Sequence, residues 1–470
     1  MNNKGQITVF ISLIISVLLI LGIASHKAIN VNLAKEKLAA NCQVAVSELL
    51  SEYNNYIFEH YHILLFDSSF GGKNQAIREE ELKSRMAKNL GDNIHVEDLR
   101  ILEYTTLMED DCKAFKDQIE EYMSYAAVEY GVEEILNQTD NNDGTVGDDI
   151  LNDMDNAQNQ ESVDSNQEEN TEEDTEEDDA SIEDPREFTS TISEMGILAF
   201  VLPEDMDVSS VHIDLSHVPS AGKESNFVEI DGTFDDMDAL EEDLLEGGNW
   251  SEKLIDGGTG ILYSRLVFNC ATDTEVNKDT VLEFEREYLI AGKSSDYDNL
   301  ENVVHRIMAI RFPANFISLL GDSEKMALID PVAEALFVAT GVPAPVYKYL
   351  IAGCWSYVES VADVRNLLKG KRVPFMKNSD SWITDLSALE TSIYNDTEDT
   401  GKGLSYEDYL MILLAVNSDD MYVRMLDLMQ INARQEQDDF MISNGAVGVT
   451  VTLTGRYLDV THSVTSEGCY

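Results

Sequence analysis

The residues whose types and spacing could do chemistry fall into a few groups, and each lacks a part that its chemistry requires. Gly292-Lys293-Ser294 carries the end of a phosphate-binding loop, in which glycine amides cradle phosphates and the lysine reaches the terminal ones. The glycine needed five residues before Gly292 is Glu287, and no acidic partner for a magnesium ion follows on a strand. The tripeptide therefore reads as a turn between a strand and a helix. Asn141, Asp143, Gly144 and Val146 match four positions of a calcium loop, but Thr139 stands at the first ligand position and Ile150 at the twelfth, where a carboxylate is needed. Diffuse association of Ca²⁺ with the surrounding acidic run is the stronger expectation.

His60 and His62 are two residues apart, which on a helix sends them to different faces and denies them a shared metal. Cys42, Cys112, Cys270, Cys354 and Cys469 are scattered and odd in number, with no C-x-x-C pair. They form neither a zinc ribbon nor a disulfide framework, and Cys42 and Cys354 sit in helical apolar patterns as small core residues. Lys369, Lys371, Arg372 and Lys377 are the one basic cluster. Two readings stand for it: a helix C-terminus complementing its own dipole, or a docking patch for an acidic neighbour. H-E-x-x-H and G-x-S-x-G are absent, and acidic pairs are too numerous for one to mark an acid/base couple. No catalytic, cofactor-binding or metal-binding residue is assigned, no cofactor and no small-molecule substrate is expected, and the protein is read as a non-enzyme.

Charge narrows the partners. Against 32 Lys and Arg stand 89 Asp and Glu, a net charge of −57 over 470 residues. Such a surface repels phosphate backbones, so nucleic acid is excluded as a partner. Apolar residues make up 43% of the chain, enough for a substantial core, so wholesale disorder is excluded too.

At the N-terminus Ile7 to Ala24 is a run of eighteen uncharged residues, enough for a helix that crosses a bilayer. A cleaved signal peptide is the competing reading, with Lys4 as its basic region and Gly22-Ile23-Ala24 as its cleavage site. The run exceeds the usual apolar length of such peptides, and the helical pattern continues past it, which favours an uncleaved anchor. Val31, Ala34, Leu38, Cys42, Ala45, Leu49, Tyr53 and Tyr56 recur at steps of three and four as one apolar stripe, and no proline precedes Pro185. Membrane segment and stalk are thus expected to be one helix of about 50 residues. The positive-inside count is balanced between Lys4 on one side and Lys27, Lys35 and Lys37 on the other. The few leading residues and the acidic bulk favour a single pass in the cell membrane, N-terminus cytoplasmic and bulk extracellular.

Several segments together resemble a known family. They are Lys4-Gly5-Gln6-Ile7-Thr8-Val9-Phe10, Tyr61-His62-Ile63-Leu64-Leu65-Phe66-Asp67, Phe115-Lys116-Asp117-Gln118 through Tyr122-Met123-Ser124-Tyr125, Leu198 to Glu204 followed by Ile213-Asp214-Leu215-Ser216, Glu287 to Lys293, Asp363 to Pro374 and Leu404 to Leu410. The family consists of uncharacterised, membrane-anchored proteins of Gram-positive anaerobes that resemble TadE/TadG-like pseudopilins of tight-adherence (Tad) pilus systems. The resemblance implies a minor pseudopilin-like or assembly component acting through protein–protein contacts, with the membrane and other pseudopilin-like proteins as partners. It brings no catalytic residues. A prepilin peptidase would cut after Gly5 and favours glutamate at the fifth residue beyond; Phe10 stands there, so the resemblance is to an uncleaved, TadG-like anchor. A membrane-anchored surface binding module or adhesin is the alternative.

The rest of the chain reads as α+β, mostly helical, with an exterior mixed domain. We expect a transmembrane anchor over 1–26, a stalk helix and the N-terminal part of the exterior domain over 27–138, an acidic linker or insertion over 139–187, and the C-terminal part over 188–470. The linker holds 19 acidic residues and no Lys or Arg in the 45 from Asp140 to Asp184, the composition of a disordered segment. Its removal leaves −38, so acidity is general. A charged helix is expected over 73–92, a strand over Ile94–Thr106 and an amphipathic helix over Asp111–Leu136. Further strands are expected at Ile197–Leu202, Val208–Leu215, Val281–Ala291 and Val447–Tyr457, and helices at Asp298–Leu320, Glu324–Thr340, Val346–Leu368 and Tyr406–Gln435. Ala327–Val364 is nearly apolar enough for a second span, but Asp330, Pro331, Glu334, Pro343 and Pro345 interrupt it, so a buried helical hairpin is expected. Strands on both sides of the acidic tract allow it to be an insertion within one folded unit.

Overall fold

The computed structural model describes residues 3–72, 74–130, 185–222, 250–273, 280–397, 402–416 and 418–470. The fold is α+β and mostly helical, and it divides into two compact units. One is made of residues 1–122 together with 429–470; the other, residues 123–428, is inserted into it. The acidic run and the partial calcium loop at Thr139–Ile150 lie outside the described residues.

The first unit is organised by α1, Asn3–Leu50, a single helix about 70 Å long at about 1.5 Å per residue. Its second half is amphipathic. Ala34, Leu38, Cys42, Ala45 and Leu49 are buried, as the stripe predicts, and Tyr56 is buried on the next helix, α2 (Asn55–Tyr61). Tyr53 falls in the turn between the two, where the helical period has ended, and is partly exposed.

What the stripe packs on is an antiparallel sheet. β1 (Phe66–Asp67) and β2 (His95–Thr106) both pair with β3 (Gly445–Tyr457), and β3 pairs in unbroken register with β4 (Val460–Cys469). Alternation along β3 explains the layering: Val449, Val451 and Leu453 face the core, while Thr450, Thr452 and Thr454 face out. Two glycines let α1 settle closely on the sheet. A Cβ on Gly455 would stand 2.8 Å from Leu38 Cδ1, and one on Gly468 would stand 2.6 Å from Val46 Cγ1. Cys42 Sγ hydrogen-bonds the carbonyls of Val451 and Val464 at 3.3 and 3.5 Å, so this thiol is a buried packing group. α3 (Gln75–Leu90) closes the layer with Leu82 and Met86, and its Arg78 and Arg85 pair with Glu52 and Glu48 at the end of α1.

The second unit is helical. α4 (Glu109–Tyr130) runs into it; α5 (Pro185–Met195), α6 (Leu198–Val201), α7 (Trp250–Val267) and α8 (Glu285–Ala291) follow. α9 (Asp296–Gly321), α10 (Ser323–Thr340) and α11 (Ala344–Leu368) form its centre, with α9 and α10 both packed on α11. The short α12 (Leu389–Ser392), then α13 (Tyr406–Val416) and α14 (Ser418–Ala433), complete it. Ser295 and Asp322 cap the N-termini of α9 and α10 by accepting from backbone amides two to three residues on, and Gly341 in the left-handed region ends α10.

Three expected strands are corrected. Ile197–Leu202 contains the four-residue helix α6, Val208–Leu215 is irregular apart from one bridge at His212, and Val281–Ala291 contains α8. In α8 every residue is buried, charged ones included, so polar–apolar alternation there carried no information about facing. The expected helix Tyr406–Gln435 is two helices, α13 and α14. The hairpin of α10 and α11 exists, but it is not buried throughout: only Ile329, Val332 and Ala333 of α10 are.

Candidate functional site

α1 is the clearest functional element. From Val9 to Ile29 its large apolar residues are exposed, Ile20 and Ile23 by more than two thirds, and none of the membrane-length apolar segment is buried; Val31 of the stripe is half-buried. Such a surface is stable in water only when something covers it. One other helix of the described residues, α9, is long and apolar enough to cross a membrane, yet over half of its apolar segment is buried and it is a core helix. The boundary on α1 is sharp. Leu33 is half exposed, whereas Ala34 and Leu38 are covered by their own sheet. Leu38 is therefore not available to neighbouring helices.

The polar chemistry of the helical unit is buried and paired. Asp363 of α11 accepts from Arg311 Nε and Nη2 at 3.0 and 2.7 Å and from Asn315 Nδ2 at 2.8 Å. Its other oxygen meets Lys377 Nζ at 2.5 Å, and Lys377 also pairs with Glu359. Glu359 accepts in addition from the amides of Ile383 and Thr384, both at 2.8 Å. Arg311 Nη1 reaches the carbonyls of Pro374 and Phe375 at 3.0 and 2.8 Å, which pins the 373–385 segment to α9 and α11. Burial alone would raise the pKa of Asp363, but Lys377 and Arg311 hold it below its ordinary value. Two cations face two carboxylates with no solvent access, a neutral structural knot.

This settles the basic cluster. Lys377 is buried in that knot, Lys369 and Lys371 pair with Asp396, and Arg372 lies 3.8 Å from Asp408. Its acidic neighbours belong to the same chain, and Lys369 is indeed the C-cap of α11.

A second cluster gathers Cys270, Asp273 and Glu407, whose ligand atoms lie within 4.8 Å of one another. The spacing suits a metal, but arginines already supply the positive charge. Arg286 Nη2 stands 2.9 Å from Cys270 Sγ and 2.8 Å from Asp273, and Arg265 Nε stands 3.0 Å from Glu407. Burial pushes the Cys270 thiol well up, so it is not a ready thiolate.

Beside this cluster Glu287 is fully buried, accepting from the Ala271 amide and from Tyr406 Oη, both at 2.9 Å. Burial raises its pKa from 4.5 to about 7, partly offset by the Ala271 amide and Arg286. The folded state thus holds a proton that the unfolded state releases near pH 4.5. The contribution of Glu287 to stability therefore falls as pH rises from there to about 7, by up to about 3 kcal/mol. Glu287→Gln should flatten this dependence, its gain over wild type appearing at pH 8 and vanishing at pH 5 in chemical denaturation of the detergent-solubilised protein. An unchanged pH profile would show that Glu287 does not set it.

The other motifs resolve simply. Gly292 ends α8 in the left-handed region and Ser295 caps α9, so Gly292-Lys293-Ser294 joins two helices; a Cβ on Gly292 would stand 2.9 Å from the Arg424 guanidinium. His60 stacks on Tyr56 within α2, while His62 caps that helix in the left-handed region and stacks on Tyr122. Cys42, Cys112, Cys270 and Cys354 are buried, and Cys469 is exposed.

Sequence reasoning missed one surface, the exposed tip of the α10–α11 hairpin, where Phe337, Val338, Val342, Val346, Tyr349 and Leu350 face out. The interrupted apolar run from Ala327 was its signal.

No curated protein and no solved structure matches the chain. A family model described as a family of unknown function (DUF5702) matches residues 175–457, more than half of the chain and most of the helical unit through to the end of β3. The chain belongs to that family.

Proposed function

We propose that the protein is a membrane-anchored, non-enzymatic component of the cell envelope, of the minor pseudopilin-like or assembly kind, that works through protein–protein contacts in a Tad-type apparatus. One observation carries this reading: α1 is a single helix whose first half is bare and apolar and whose second half is the core element of a folded unit. A subunit that joins others through a membrane needs this division. The bare half can pack among neighbouring helices, and the rigid continuation transmits their arrangement to the exterior. The buried ion pairs of Arg311 with Asp363, Lys377 with Glu359 and Arg286 with Asp273 are in keeping with a structural role. The resemblance to TadE/TadG-like proteins supplies the apparatus; the N-terminus is then cytoplasmic and the acidic bulk extracellular.

Site-directed crosslinking tests it in cells that carry the Tad genes. With Cys469→Ser removing the exposed thiol, Ser16→Cys and Ile29→Cys should give adducts to other membrane helices, and Leu49→Cys, buried on its own sheet, should give none. If no position on the bare half yields a partner, the solitary anchored binding module or adhesin is the correct account.

A further inference from the structure

The chain carries a second surface that water does not suit. From Ala335 to Leu350 the end of α10, the Gly341–Pro343 turn and the start of α11 form a tip in which Tyr347 is buried, Leu336, Ala344 and Lys348 are half-buried and the rest are exposed, Val338 by 82%. Phe337, Val338, Ala339 and Thr340 are consecutive and all exposed. Successive helix positions are about 100° apart, so these four ring the helix. A docking face for a protein would be one-sided. Three of the four are apolar, and the Thr340 hydroxyl is bonded within the hairpin, donating to the Leu336 carbonyl and accepting from Tyr347 Oη. A helix end of this kind belongs in a core or in lipid, and this one is not in its core.

Charge points the same way. Between Ala335 and Val358 the only charged residue is Lys348, in a chain of net charge −57. Lys348 lies beside the exposed Tyr349, and its ammonium reaches back 2.6 Å to Asp330, which with Glu334 starts the acidic surface again. An apolar end, then a tyrosine and a lysine, then acid is the order expected across a lipid–water interface, where tyrosine sits at headgroup level and a lysine stem stays in the apolar layer. The tip takes six residues of α10 and seven of α11, about 10 Å of helix on each side. That matches the roughly 5–10 Å reached by interfacial elements and falls far short of the roughly 30 Å needed to span.

We propose that the tip of the α10–α11 hairpin inserts into one leaflet of a lipid bilayer, giving the protein a membrane contact separate from α1. The contact goes beyond the proposed function, because it depends on neither pilus partners nor the N-terminal anchor.

The test uses the full chain in phosphatidylcholine vesicles, carrying Cys469→Ser so that the remaining cysteines are buried. An environment-sensitive fluorophore is placed at Val338→Cys or Val346→Cys, with Thr461→Cys on exposed β4 as the aqueous control and Ser16→Cys reporting α1 separately. At Val338 and Val346 emission should shift to the blue. Nitroxides on the lipid acyl chains should quench these sites several-fold more than Thr461. Adding Phe337→Asp and Leu350→Asp should abolish the shift at Val346 without changing thermal unfolding, because both residues are exposed. A Val338 probe as open to aqueous iodide as Thr461 would overturn the proposal. So would one shielded from iodide yet untouched by lipid nitroxides, which would mean that a protein covers the tip. Either outcome is independent of the Ser16 signal, so failure of the tip and failure of the anchor are told apart.

Discussion

Asp363→Ala should lower the unfolding transition of the helical unit by roughly 10 °C. Asp363 takes four hydrogen bonds or ion-pair contacts from Arg311, Asn315 and Lys377, all fully buried, and its removal leaves two cations facing the single carboxylate of Glu359. Breaking a buried pair by deleting one partner costs about 3–5 kcal/mol, because the uncompensated charge stays desolvated. In a chain of this size each kcal/mol moves the midpoint by about 2–4 °C. Arg311→Leu combined with Asp363→Leu should cost far less than Asp363→Ala alone, since no unpaired Arg311 then remains. The check is differential scanning calorimetry of the detergent-solubilised protein. A shift of only a degree or two for Asp363→Ala would mean that water reaches the knot.

The second large effect concerns α1. Leu38→Ala should destabilise the sheet-bearing unit by about 2–5 kcal/mol, the usual cost of a cavity at a fully buried leucine. Leu38 lies against Gly455 of β3, where a backbone without a side chain has drawn the helix in, so the surroundings can collapse little. Ile20→Ala, eighteen residues earlier on the same helix, should leave that stability unchanged because Ile20 touches no core. Hydrogen exchange of the β3 amides separates the two: protection should drop for Leu38→Ala and hold for Ile20→Ala. Equal effects would show that the two halves of α1 are not distinct.

Much of this organisation was legible in the residues. The stripe from Ala34 to Leu49 announced both a helix and the side it buries, because a helix laid on a sheet hides one face only. β3 alternates for the same reason, whereas bulges break the alternation of β2, whose buried positions are Val96, Leu99 and Ile101; their pairing is what joins segments from the two ends of the chain. β4 was illegible. Its inward positions are Val460, His462, Val464, Ser466 and Gly468, small or polar because α1 lies so close, so no apolar alternation marks the strand. α8 was misread because Glu285, Arg286 and Glu287 are buried among partners instead of facing solvent. α7 has no counterpart among the elements expected from the sequence; within it Gly260 leaves room for the Tyr422 hydroxyl, which a Cβ there would meet. The buried knot could not be read at all, since Arg311, Asp363 and Lys377 are far apart in sequence and each alone looks like a surface charge.

The central claim is that α1 remains attached and holds the protein in the membrane. Alkaline carbonate extraction of membranes from cells expressing the full chain, followed by N-terminal sequencing of the recovered protein, tests it most directly. The account predicts that the protein stays in the pellet with residues 7–24 retained. A soluble form beginning at Ser25 would contradict it.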